Sequence, residues 1–176
     1  MTDTVLTALR DLTFFETPVE AMAFALVTAL QALPSLGGLA LLRDDESGGY
    51  GVVYARGPRA SAAVRSRVPV DDPFVALALE RGGPVSVEYR SDTPPPDRHA
   101  AFGDPWSALV TPVQLAERCV GVIELVDPLE ARLAGESGRS ALAAIAQHLA
   151  LFLRGRHLDI SNAFSPAQIG LDGEEP

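Results

Sequence analysis

The chain has 176 residues, 47% of them hydrophobic and 21% charged, a composition that fits one soluble domain with room for a real core. Its 14 basic residues stand against 23 acidic ones for a net charge of −9, and every basic residue is arginine. Without lysine there is no Walker-type phosphate loop, no imine-forming amine and no lysine nucleophile, and the acidic balance disfavours nucleic acid and anionic membranes.

In chain order, Val5, Leu6, Leu9 and Leu12 stand at helical spacing and predict a short amphipathic helix from about Asp3 to Phe15. No basic region leads into an apolar run there, so no secretory signal is expected. Thr17-Pro18-Val19-Glu20 reads as a capping box with proline at the first helical position. The helix it opens runs to about Leu33 and is apolar almost all round, which places it inside the core or in a subunit contact. Its apolar stretch, Ala21 to Leu33, is too short to span a bilayer.

Leu36 to Arg43 and Gly49 to Arg56 predict a hairpin around the polar turn Asp44 to Gly48. Val64, Ser66, Val68 and Val70 alternate with Arg65, Arg67 and Pro69, as in a strand with one wet face. Asp72-Pro73 opens a short helix over Phe74 to Arg81, closed by Gly82-Gly83, and Pro84 to Glu88 is a further strand. Tyr89 to Pro105, with Pro94-Pro95-Pro96, is longer than most connections in compact domains, and such segments are commonly lids or binding loops. Trp106 to Leu115 and Arg118 to Asp127 form the clearest hairpin, turning at Ala116-Glu117. Ser137 to Arg156 predicts the last helix, with Ser137 as its cap and Arg154 and Arg156 near its C-terminal dipole. The domain is read as residues 1–157, followed by an acidic tail over 158–176.

Ser107 to Pro128, with Pro112 ahead of the turn and Gly121-Val122-Ile123-Glu124-Leu125 after it, followed by the apolar helix Ala141 to Leu153, resembles the end of a GAF domain. The resemblance extends over roughly Thr4 to Gly155. It implies an α/β fold of the α+β type: a mainly antiparallel five- or six-stranded sheet with the N- and C-terminal helices on one face and a ligand pocket under irregular segments on the other. It further implies a sensory or regulatory module, usually non-catalytic and often dimeric through its first and last helices. The specialised branches of the family do not fit. A lysine-free chain cannot carry the cyclic-nucleotide signature, and a chain with one cysteine lacks the several that sulfoxide-reducing members use. Bilin-binding members attach their chromophore through a pocket cysteine, whereas Cys119 lies beside a hairpin turn.

Tyr89, Arg98, His99, Phe102 and Trp106 lie in or beside the long connection where the resemblance places the pocket lid, and they are the candidate ligand-binding residues. Aromatic walls with a few polar groups are what a small-molecule pocket requires; the alternative is a loop packed on its own side chains. Arg56, Arg59, Arg65 and Arg67 form an arginine cluster that is either a solvated strand face or a contact for an acidic partner or anionic ligand. No metal is expected, because His99, His148 and His157 share no metal-motif register. His99, in the long connection, is a candidate axial haem ligand by residue type, but no cofactor is assigned. Cys119 beside Arg118 is either a small hydrophobe or a thiol of lowered pKa acting as a redox sensor. A lone cysteine fits a reducing, cytoplasmic setting. Gly135-Glu136-Ser137-Gly138 lacks the spacing of a nucleophile elbow, and the carboxylates are accounted for by turns and caps. The expectation is a non-enzymatic regulatory module that dimerises and binds a small ligand, a signalling partner or both, or else an interaction scaffold with an empty pocket.

Overall fold

Strands β5 (Ser107–Leu115) and β6 (Arg118–Pro128) set the character of the sheet. Ala108 to Val113 and Cys119 to Val126 are buried without interruption, so both faces of this hairpin are covered, which is why neither arm alternates apolar with polar. The computed structural model describes residues 15–129, 135–154, 156 and 158. Around the hairpin, β1 (Ser35–Arg43), β2 (Tyr50–Arg56), β3 (Arg67–Val68) and β4 (Val85–Glu88) complete a six-stranded antiparallel sheet in the order β3-β2-β1-β6-β5-β4. The register places Glu124 of β6 between Leu39 of β1 and Val110 of β5, in the middle of the sheet.

One face carries α1 (Pro18–Ala32) and α4 (Glu136–Leu153). Met22 and Leu26 of α1 and Leu142, Ile145 and Leu149 of α4 are fully buried against Ile123 and Leu125. The capping box forms as expected: the Glu20 amide donates to Thr17 Oγ1 at 3.2 Å, and the Thr17 amide donates to Glu20 Oε2 at 3.1 Å. The N-terminal helix expected over Asp3 to Phe15 lies outside the described residues except for Phe15, whose ring packs 5.0 Å from that of Phe24. At α4 the cap differs from expectation. Gly135 holds the N-cap position without a side-chain bond, and Ser137 falls inside the first turn, where its hydroxyl is exposed. The helix ends at Leu153; Arg156 lies beyond it, donating from Nε to the Phe152 carbonyl and stacking 4.1 Å over the Phe152 ring. Leu158, where the sequence reading begins the tail, is buried in this core and exchanges backbone and side-chain bonds with Asp45.

The other face is covered by α2 (Pro73–Arg81), the short helix α3 (Asp97–Ala100) and the chain around it. Helix α2 begins and ends where expected, with Gly82 closing it in the left-handed conformation at φ 66°. The strand expected over Val64 to Val70 shrinks to Arg67–Val68. Arg59 and Arg65 both adopt positive φ, 59° and 75°, around a 3-10 turn at Ala60–Ala62, and a left-handed residue reverses the chain rather than extending it.

Removing the Thr17 hydroxyl leaves the first turn of α1 without its acceptor. Thr17→Ala is expected to cost about 1 kcal/mol, seen as a lower denaturant midpoint with an unchanged slope.

Candidate functional site

Two carboxylates are fixed on the face beneath α2 and α3. Asp72 is held as the N-cap of α2, its Oδ1 accepting from the Phe74 and Val75 amides, both at 3.1 Å, and Pro73 favours this start because the first helical position needs no N–H donor. Glu124 sits in mid-strand with 0% exposure. A buried carboxylate requires charged or hydrogen-bonding partners, and α3 brings them. Arg98 donates from Nε to Glu124 Oε2 and from Nη2 to Glu124 Oε1, each at 2.9 Å. The same guanidinium donates from Nη1 to Asp72 Oδ2 at 2.9 Å and from Nη2 to Asp72 Oδ1 at 3.1 Å. Such paired bonds are the arrangement for which the planar arginine fork is suited.

His99, the next residue, places Nε2 2.7 Å from Glu124 Oε2, and its Nδ1 meets the Tyr89 hydroxyl. Burial holds the Tyr89 phenol protonated, its pKa pushed up from 10, and the imidazole bridges that hydroxyl to the Glu124 carboxylate. Phe74 packs edge-on to Tyr89, ring centres 6.0 Å apart. Burial by itself would raise the Glu124 pKa, but His99 and Arg98 outweigh it and hold the group at about 2. Burial likewise opposes the charge on Arg98, and the Glu124 and Asp72 carboxylates more than offset it, so its pKa moves up.

Phe102 completes the packing. A Cβ on Gly37 would stand 2.5 Å from Phe102 Cε1, and one on Gly57 3.2 Å from the same atom, so only glycine at these two positions leaves a slot for the ring.

Of the candidate ligand-binding residues, Tyr89, Arg98, His99 and Phe102 are therefore gathered in one buried compartment. Trp106 is not: it is 81% exposed, its backbone amide tied to Asp127 Oδ1 at 2.8 Å. Both ring nitrogens of His99 are engaged, which leaves none for axial haem ligation. Among the described residues no group of His, Cys, Asp and Glu side chains could hold a metal ion. In the arginine cluster, Arg56, Arg59, Arg65 and Arg67 are all exposed, with Arg67 reaching Asp44 at 3.2 Å; Arg56 ends β2 and Arg67 begins β3, whereas Arg59 and Arg65 lie in the left-handed turn region between these strands. Cys119 is buried, and burial pushes its thiol up, the reverse of a reactive thiolate. His148 lies exposed on α4, donating from Nδ1 to the Ala144 carbonyl. Two adjoining grooves of about 280 and 520 Å³ run between the Gly83-Pro84 turn and α4, and Thr111, whose buried hydroxyl has no partner among the described residues, lines the smaller one.

Asp72 and Glu124 are the site residues that sequence reasoning missed. In the sequence Asp72 marks only the start of a helix, and Glu124 stands only as part of the GAF-like strand. The available signal was Glu124 itself, the one charge within the apolar run Cys119 to Val126.

No protein-family model and no curated protein sequence matches the chain. Among solved structures, it is similar to the GAF domain of an Acinetobacter phosphoenolpyruvate-protein phosphotransferase, with a TM-score of 0.67 and 17% identity over 86% of this chain and 90% of that one. It is also similar to the free methionine-R-sulfoxide reductase of Neisseria meningitidis, with a TM-score of 0.65 and 22% identity over 84% of both chains. A third similar structure is the GAF-B domain of DevS from Mycobacterium smegmatis, with a TM-score of 0.59 and 18% identity over 77% of this chain and 92% of that one. The fold is the GAF fold, with the expected antiparallel sheet and the α1 and α4 helices on one face.

Because the folded-state pKa of Glu124 lies below its ordinary 4.5, its stabilising contribution is complete above that pH and is lost as the pH falls toward 2. Equilibrium unfolding across this range should show stability falling steeply in the wild type. In Glu124→Gln it should start lower by a few kcal/mol at neutral pH and fall less steeply, leaving only the slope of the other carboxylates.

Proposed function

We propose that this chain is a non-catalytic regulatory module of the GAF type, whose pocket is filled at rest by its own Arg98, His99 and Phe102 and whose output is contact with another protein. The observation that carries this reading is the single buried guanidinium shared by Asp72 and Glu124. A pocket shaped for a permanently bound cofactor would keep polar groups unpaired for it, and here the residues expected to face a ligand bind one another. The dimer contact is assigned to the first and last helices, for which Phe24 and Leu30, half-buried on α1, and Leu151, 52% exposed on α4, offer apolar surface. The lone buried cysteine is at home in the cytoplasm.

One similar structure is a sulfoxide reductase. Thiol reduction of a sulfoxide needs a reactive thiolate and a second thiol to resolve the sulfenic acid. Cys119 is the only cysteine, and it is buried with a raised pKa. Tyr89, His99 and Glu124 do stand in the order hydroxyl, imidazole, carboxylate, as in a nucleophile with its base. Burial stabilises the protonated phenol, however, and His99 is 0% exposed, so this chain orients Arg98 rather than attacking a substrate.

Two measurements test the proposal. In solution the Arg98 Nε–H is expected to give a distinct, slowly exchanging NMR signal that disappears in Glu124→Gln; rapid exchange in the wild type would show that the pocket is not self-filled. Light scattering should give a mass near twice 18.6 kDa that Leu151→Asp halves, and a monomeric wild type would remove the dimer.

A further inference from the structure

We propose that the Asp72–Glu124 pair is a recognition site for the planar guanidinium or amidinium group of a small molecule, which takes the place of Arg98 and releases the strap that carries it. This rests on the self-filled pocket proposed above and names the ligand class of that pocket.

The two acids and their cation have different anchoring. Glu124 is locked in the centre of the sheet and Asp72 in the N-cap of α2. Arg98 and His99 ride on residues 90–105, a strap whose neck is closed by the Tyr89 amide donating to the Trp106 carbonyl at 2.8 Å. Among the described residues, every backbone–backbone hydrogen bond between Arg90 and Gly103 stays inside the strap: Arg90 with Thr93 in both directions, and Pro96, Asp97, His99 and Ala100 accepting within the α3 turn. The strap is thus an Ω-like loop with its own internal structure, attached to the sheet by the side chains of Arg98 and His99, by the Phe102 ring and, at its exposed neck, by the Arg90–Glu88 ion pair at 3.1 Å. Lifting it breaks no bond of the β-ladder.

Charge decides what can take its place. Withdrawing Arg98 alone would leave two buried carboxylates facing each other, a strongly destabilised state. An anionic or neutral ligand cannot relieve that, so the exchange requires an incoming cation. Four of the five N–H donors of Arg98 are engaged by the two carboxylates. A planar fork reproduces those bonds one for one, so the polar part of the exchange is nearly balanced, whereas a tetrahedral ammonium matches the pattern poorly. The structure displays the ligand chemistry directly, because a guanidinium group already occupies the site.

The test uses agmatine and ethylguanidinium as probes, with butylammonium as the control. Arg98→Ala should melt at lower temperature than the wild type and regain the loss in millimolar ethylguanidinium, with binding about tenfold tighter than that of butylammonium. Adding Glu124→Gln to Arg98→Ala should abolish the response. In the wild type, saturating agmatine should erase the slowly exchanging Arg98 Nε–H signal and speed exchange of the strap amides. A folded Arg98→Ala that ignores both guanidinium probes, or responds to butylammonium equally, overturns the proposal. If Arg98→Ala does not fold, the wild-type experiment decides: a protected Arg98 signal that saturating agmatine leaves unchanged overturns this inference and leaves the self-filled pocket standing. An Arg98 signal that is unprotected from the start overturns the self-filled pocket itself.

Discussion

The constraint on which the structure turns is a negative charge placed where water cannot reach it. Glu124 lies on a strand covered from both sides, and a carboxylate there is tolerated only with partners that compensate its lost hydration. The chain satisfies it with two successive residues of one helical turn, Arg98 and His99, and in doing so fixes where the long connection must run. Asp72 is drawn into the same network from the start of α2, and Tyr89 from the end of β4. A segment rich in proline and poor in backbone contacts with the sheet thereby acquires a definite position.

The two faces of the sheet are stabilised by different physics. Beneath α1 and α4 the contacts are aliphatic and non-directional, set by the volumes of Met22, Leu26, Leu142, Ile145 and Leu149. Beneath α2 and α3 an apolar floor of Leu39, Val110, Val122 and Val126 surrounds a directional polar centre. The first arrangement gives a core that tolerates adjustment. The second specifies which side chains lie where, and it is this face that carries the functional reading.

What the sequence made legible was local. The capping box of α1, the Asp-Pro start and Gly-Gly end of α2 and the β5–β6 hairpin each depend on residues within a few positions of one another, and each forms as expected. The strand over Val64 to Val70 was misread because its alternation is genuine in the letters, yet Arg59 and Arg65 turn left-handed, and nothing in an arginine announces that. The polar centre was half visible. The connection was marked by its length, and Tyr89, Arg98, His99 and Phe102 by their chemistry, but Trp106 was grouped with them by type and points elsewhere. Arg98 lies 26 residues from both Asp72 and Glu124 along the chain, a separation at which no spacing rule operates. Only the tertiary fold reveals that a helix cap and a strand residue share one cation.

The shared guanidinium also governs how this protein can change over generations. Replacing Asp72, Arg98 or Glu124 singly strands a buried charge, while replacing them together by apolar residues of matching volume can be nearly neutral. The three positions therefore form an epistatic block, to be inherited intact or exchanged as a set. A lineage that exchanged the set would gain a permanently closed core in place of a polar compartment, and every single step toward it would pass through a stranded buried charge.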